Sequence, residues 1–122
     1  MCTTFATFCD IIIPRLPQLD EIIKSIKKFR NERNWQQFHT PENLAKSVSI
    51  EAAELLENFQ WSNEFDKQKV TEELADVLMY AILLADSIDV DIKEIIKNKL
   101  EKNAEKYPIE KSFGNSKKYT EL

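Results

Sequence analysis

Gly114 is the one glycine in a chain of 122 residues, and it stands in the polar tail IEKSFGNSKKYTEL rather than in the body of the sequence. A β-rich domain turns often and tightly, and those turns draw on glycine's freedom at positive φ. With one Gly and four Pro, a sheet-based fold of this size lacks its turn residues. Glu, Lys, Leu, Ile and Ala dominate instead, which are residues at home in helices or their cores. The expectation is an all-α chain, and its length makes it one domain with a real core.

Four helices can be traced. The first runs from about Leu19 to Asn34, with Ile22, Ile26 and Phe29 on one face. NWQQFHTPENL follows as a loop, with Thr40 as N-cap and Pro41 at the first helical position of helix two. Helix two extends to about Phe59 on a stripe of Leu44, Val48, Ala52, Leu55 and Phe59. After a turn at 61–65, helix three covers about Asp66 to Ser87. Its middle, VLMYAILLA, is apolar all round, which calls for a central position or a subunit interface. Asp89 or Asp91 caps helix four, which carries Ile92, Ile95, Ile96 and Leu100 and ends before Pro108. Residues 1–17, rich in Thr and Phe and closed by Pro14 and Pro17, read as an N-terminal extension, a flexible or docking arm. The domain proper is 18–122.

Several function classes drop out. A net charge of −4 provides no general basic field for nucleic acid. Cys2 and Cys9 have neither cysteine partners elsewhere nor a nearby histidine, so neither a disulfide framework nor a zinc site is expected. The opening residues lack a cationic start, and Asp10 interrupts the apolar run, so no signal peptide is expected. The run at 77–85 is too short to span a bilayer. A cytoplasmic protein is the expectation.

Two carboxylate pairs carry the chemistry. Helix two holds Glu51-x-x-Glu54 and helix three holds Glu73-x-x-Asp76, and residues three apart on a helix share a face. In an antiparallel hairpin both pairs fall in the turn-proximal halves and face each other across the groove. Four acids converging without a basic partner repel one another. A hard divalent cation resolves that, and an all-oxygen donor set suits Mg²⁺ or Mn²⁺ rather than zinc. The competing reading is that they solvate helix faces, which for a single ExxE is the commoner case. A di-iron carboxylate bundle wants Glu-x-x-His pairs, whereas this chain has His39 alone, in a loop.

ERNWQQFHTPENL, SIEAAELLENFQW, EELADVLMYAILLA, KLEKNAEKYP and the KYTEL tail together resemble the MazG-like all-α nucleoside triphosphate pyrophosphohydrolases, most closely the small dCTP pyrophosphatase branch, over residues 19–122. The resemblance implies cleavage of a (d)NTP between the α and β phosphates to a monophosphate and pyrophosphate, in the service of nucleotide-pool cleansing. It implies that Glu51, Glu54, Glu73 and Asp76 hold Mg²⁺, with one of the glutamates open to taking the attacking water's proton. Lys99, Asn103, Lys106 and Tyr107 lie on one face of helix four, and the likeness makes Lys99 and Asn103 phosphate or sugar contacts. An ordinary solvated lysine face is the other reading, above all for Lys106. Trp35, His39, Trp61 and Tyr80 are the candidate walls of a base pocket. Some members of the branch carry a base-contacting histidine where this chain has Ile26. Relatives of this kind assemble as dimers or tetramers with sites built across subunits, so a homotetramer is expected. Two other readings stay open: a non-catalytic helical interaction module, and a hydrolase of another phosphoanhydride such as an alarmone or dUTP.

Overall fold

The computed structural model describes residues 16–122. Cys2, Cys9 and nearly all of the expected N-terminal extension lie outside the described residues. Four long helices follow in the expected order: α1 (Leu19–Glu32), α2 (Pro41–Glu57), α3 (Lys67–Ser87) and α4 (Ile92–Lys106). A one-turn helix α5 (Ile109–Ser112) comes next, and no strand occurs among the described residues. The loop after α1 is itself partly helical, with a 3₁₀ turn at Trp35–Phe38, and a second one closes the chain at Tyr119–Glu121.

Local chemistry sets the boundaries. Thr40 Oγ1 accepts from the Asn43 amide at 3.2 Å, and Pro41 occupies the first turn of α2. Asp66 caps α3 by accepting from the Gln68 amide at 2.9 Å. Asp91 caps α4 by accepting from the Lys93 amide at 2.8 Å. Asp89, the other candidate cap, instead takes a left-handed conformation with φ 55°. It terminates α3: the Val90 amide donates to Ala85 C=O at 3.0 Å and the Asp89 amide to Asp86 C=O at 3.2 Å. This is the Schellman pattern, with aspartate where glycine is usual.

α2 and α3 form an antiparallel hairpin and share the most extensive helix–helix contact of the fold. The Phe59 and Phe65 rings meet at 5.1 Å across its turn. The core gathers at the opposite end, where Ile26 of α1, Leu44 of α2, and Ile82 and Leu83 of α3 are buried together. Ile23, Met79, Tyr80, Leu84 and Ile92 pack against them. α4 is tied down at its first turn, through Ile92 and through an ion pair of Lys93 with Asp20 at 2.7 Å. No α4 residue is buried.

The chain does not bury α3 all round. Ile82, Leu83 and Ala85 are buried, but Leu74 and Leu78 are 45% and 55% exposed. α1 and α2 pack against α3, while α4 is held chiefly at its first turn, so the described residues leave the other side of α3 half-exposed.

Leu44, 1% exposed, is the most enclosed large side chain. Leu44→Ala is expected to cost about 2–5 kcal/mol through lost transfer energy and the cavity left behind. Urea denaturation followed by far-ultraviolet circular dichroism measures it.

Candidate active site

One carboxylate oxygen from each of Glu51, Glu54 and Glu73 lies within 4.8 Å of the others. The seam between α2 and α3 creates this arrangement. Glu51 and Glu54 are one turn apart on α2, and Glu73 faces them from α3. Glu51 and Glu73 are half-buried, while Glu54 is exposed. None of the ion pairs among the described residues involves these three or Asp76.

Burial raises the Glu51 carboxyl above its ordinary pKa, and the Glu54 charge adds to the effect, followed by those of Asp76 and Glu73. Glu73 is raised for the same reasons, desolvation first and then Glu54 and Asp76. Asp76 thus acts on the cluster by its charge, although it does not contribute an oxygen to the tight trio. The donor set fits a hard divalent cation. Oxygens on opposite sides of an ion bound at about 2.1 Å are about 4.2 Å apart, so the three lie within a small side-chain rotation of sharing one.

A cavity of about 190 Å³ adjoins the cluster. Asp76 and Tyr80 line it from α3, Trp35 and His39 from the loop, and Ile26 and Arg30 from α1. Residues 73, 76, 80 and 83 repeat at helical spacing, so one face of α3 runs from the acids into the cavity. Trp35 stands edge-on to Phe29 with ring centroids 5.8 Å apart, and the Arg33 guanidinium covers Phe29 at 3.6 Å. His39 is half-buried, and its Nδ1 is enclosed without a hydrogen-bond partner among the described residues. Burial, then the charge of Arg30, lowers its pKa, so the imidazole is neutral at pH 7.

Arg30 is the residue that sequence reasoning missed. It is 4% exposed and donates from Nη1 to Asp86 Oδ2 at 2.7 Å and from Nε to Asn31 Oδ1 at 2.9 Å. Lys27 also reaches Asp86, at 2.9 Å. Burial would raise the Asp86 pKa, but the hydrogen bonds from Arg30 and Lys27 override it and hold it down. The available signal was positional: Arg30 stands one turn after Ile26 on the inward face of α1.

The remaining candidates lie elsewhere. Trp61 is 89% exposed at the hairpin turn and does not line the cavity. Lys99 borders a separate shallow depression with Ile95, Asn98 and Lys102. Asn103 is half-buried farther along α4. Lys106 lies 5.0 Å from the Tyr119 ring, and Tyr107 packs edge-on against that ring. Within one chain, none of these shares the acid cluster or the cavity.

Comparison with known proteins fits this geometry. The model of the MazG-like family matches residues 46–122. The mouse protein dCTP pyrophosphatase 1 is 35% identical over 116 residues, covering 87% of this chain and 68% of its own length, and the human protein of that name matches equally well. The crystal structure of a pyrophosphatase from Archaeoglobus fulgidus superposes with a TM-score of 0.69 at 43% identity, covering 77% of this chain and 95% of that one. Fold and relatives define an all-α nucleoside triphosphate pyrophosphatase. The chain belongs to the MazG-like family. No helix among the described residues is long and apolar enough to cross a membrane.

Without a cation the raised acids cost stability. A carboxyl whose folded pKa lies above its unfolded value favours folding only while protonated, and that contribution is lost as pH rises through the folded value. Glu51→Gln is therefore expected to raise the melting temperature of the chelator-treated protein, by a margin that grows as pH rises out of the carboxylate range. Thermal melts of both proteins in EDTA between pH 4 and pH 8 test the sign.

Proposed function

We propose that the protein is a Mg²⁺-dependent hydrolase of the α–β phosphoanhydride of (d)NTPs, with dCTP-like substrates, acting in cytoplasmic nucleotide-pool cleansing. The observation that carries this reading is the trio of carboxylate oxygens within 4.8 Å, joined through Asp76 to an aromatic-walled cavity. The relatives named as dCTP pyrophosphatases support the choice of substrate.

In this mechanism Glu51, Glu54, Glu73 and Asp76 would hold the cation, with Mn²⁺ able to replace Mg²⁺. When bound, the cation neutralises phosphate charge and lowers the pKa of a water. Trp35 and Tyr80 wall the base, and His39 offers it a hydrogen bond. This seats the triphosphate toward the acids, so that positioning supplies much of the rate. A cluster glutamate takes the proton of the attacking water.

The working unit is a homo-oligomer, a tetramer. Leu74 and Leu78 on α3, Leu56 on α2, and Ile96 and Leu100 on α4 are each 45–70% exposed, large apolar side chains that a partner protomer would cover. Assembly also gives Trp61, Lys99, Asn103, Lys106 and Tyr107 a route to the substrate, by approaching from a neighbouring protomer.

Pyrophosphate release from a panel of dNTPs is expected to need Mg²⁺. It should fall by about 100-fold or more in Glu51→Gln and in Asp76→Asn, in line with the loss of a positioned charge-stabilising group, with unchanged circular dichroism. Full activity in both variants overturns the metal assignment, and no release from any nucleotide overturns the reaction. Leu78→Glu is expected to break the assembly and lower activity with it, as read by light scattering on a sizing column.

A further inference from the structure

A second cavity, of about 220 Å³, opens between the first turns of α1, the end of α3 and the start of α4. Ile23, Ile82, Val90 and Ile92 give it an apolar lining. It is larger than the cavity of about 150 Å³ that holds benzene in another protein, so it takes one or two aliphatic side chains. The chain enters the fold beside it. The Gln18 amide donates to Glu21 Oε2 at 2.9 Å and Gln18 C=O accepts from the Ile22 amide at 3.0 Å, which fixes the start of α1. Asp20, two residues on, already lines the cavity.

The sequence just ahead of that entry is DIIIPRL, residues 10–16, and Leu16 is the first described residue. Three consecutive isoleucines gain free energy from any apolar cover within reach, and the lead-in provides none, since Leu16 is 85% exposed. Ile13 stands three residues before Leu16, about 10 Å of extended chain, so the cavity is within reach of the run. Pro14 biases Ile13 toward extended backbone, where Ile11 and Ile13 share one side.

Charge agrees with this match. Of the acids on the cavity, Asp20 pairs with Lys93 at 2.7 Å, and Asp86 pairs with Lys27 and Arg30. Asp91 has no ion pair among the described residues. Its Oδ1 caps α4 by accepting from the Lys93 and Glu94 amides, while Oδ2 has no hydrogen bond there. Arg15 is the only cationic side chain in residues 1–16. A second copy of the chain is a poorer occupant. A stable interface buries about 800 Å² per partner, far more than this cavity offers. A segment tethered at Leu16 needs no such area, because a short linker gives it an effective concentration in the millimolar range.

We propose that the cavity is the seat of this chain's own residues 11–15, docked within the same protomer. Ile11 and Ile13 enter between Ile23, Val90 and Ile92, and Arg15 pairs with Asp91. Burial of the isoleucines supplies the affinity, while the exposed ion pair sets the register. The docked segment ties α1 to the first turn of α4, beside the Lys93–Asp20 pair.

Both cysteines of the chain precede this segment, so Cys2→Ser leaves Cys9 as the single thiol, two residues before Ile11. A nitroxide on Cys9 in the full chain, with isotope-enriched methyl groups, reads the docking by nuclear magnetic resonance. The oxidised label is expected to erase the methyl signals of Ile23, Val90 and Ile92 and to spare Leu56 at the far end of α2. Ile13→Asp should restore all three signals, and Arg15→Glu should restore them in part. Both substitutions lie outside the buried core, and unchanged circular dichroism checks the fold. Signals that survive beside the native segment overturn the proposal, as does a loss that Ile13→Asp leaves in place. Nitroxide-bearing chains without enrichment, mixed with enriched chains without nitroxide, separate the two seats. Loss of the three signals in that mixture places the segment on a second copy and overturns docking within the protomer.

Discussion

The seam between α2 and α3 is the constraint on which everything else depends. Rotating either helix by one residue, about 100°, would carry its acids out of the groove, and the trio of Glu51, Glu54 and Glu73 would cease to exist. The acids cannot hold that register themselves, because they repel. It is held from both ends of the hairpin. Phe59 meets Phe65 across the turn and Asp66 starts α3 at a fixed point. At the far end Leu44 packs among Ile26, Ile82 and Leu83. Apolar burial at one end of a rigid pair of helices thus sustains an unfavourable charge arrangement at the other.

Two local conflicts stand out in an otherwise consistent sequence, and both lie along the same face of α3. One is the carboxylate cluster, where desolvation and mutual repulsion push protons on. The other is Arg30, buried beside an aspartate that Lys27 already balances. A chain under selection for stability alone would replace either with apolar residues. Their persistence in a protein with so small a buried core of its own is the expected signature of function held at the expense of stability.

What the sequence reveals here is what depends on neighbours within a turn or two. The helices were legible through apolar spacing and through caps such as Thr40–Pro41, and the acid pairs through their i,i+3 phase. Asp89 and Asp91 could not be told apart, because each is an aspartate before an apolar helix. The difference lies in the Val90 amide reaching back to Ala85, which only the folded helix end supplies. Arg30 was illegible for another reason. It sits in SIKKFRNER among four other charged side chains, and nothing local marks it as the one that turns inward toward Asp86, 56 residues away. The cavity joins α1, a loop and α3, so no single segment could announce it. The all-round apolar middle of α3 left a central position and a subunit interface equally open, because composition reports how apolar a helix is, not which partner covers it; the half-exposed Leu74 and Leu78 rule out only the first.

The two parts of the site share one rigid element, and this has a consequence for how substrate choice and reaction are linked. From Glu73 to Tyr80 is seven residues of uninterrupted helix, about 10 Å at 1.5 Å per residue. In the proposed reading a base enters beside Tyr80 and the phosphates lie toward Glu73, so α3 fixes the distance between recognition and chemistry. A base that fails to seat between Trp35 and Tyr80 cannot slide along the slot without moving its phosphates relative to the acids. Misplacement by about 1 Å at a reacting centre can cost two orders of magnitude in rate. Discrimination on such a scaffold therefore falls on the chemical step as well as on binding. The same rigidity explains why Asp76 matters without belonging to the closest oxygen trio: it lies where the cavity and the cluster meet, and its charge is felt by Glu51 and Glu73.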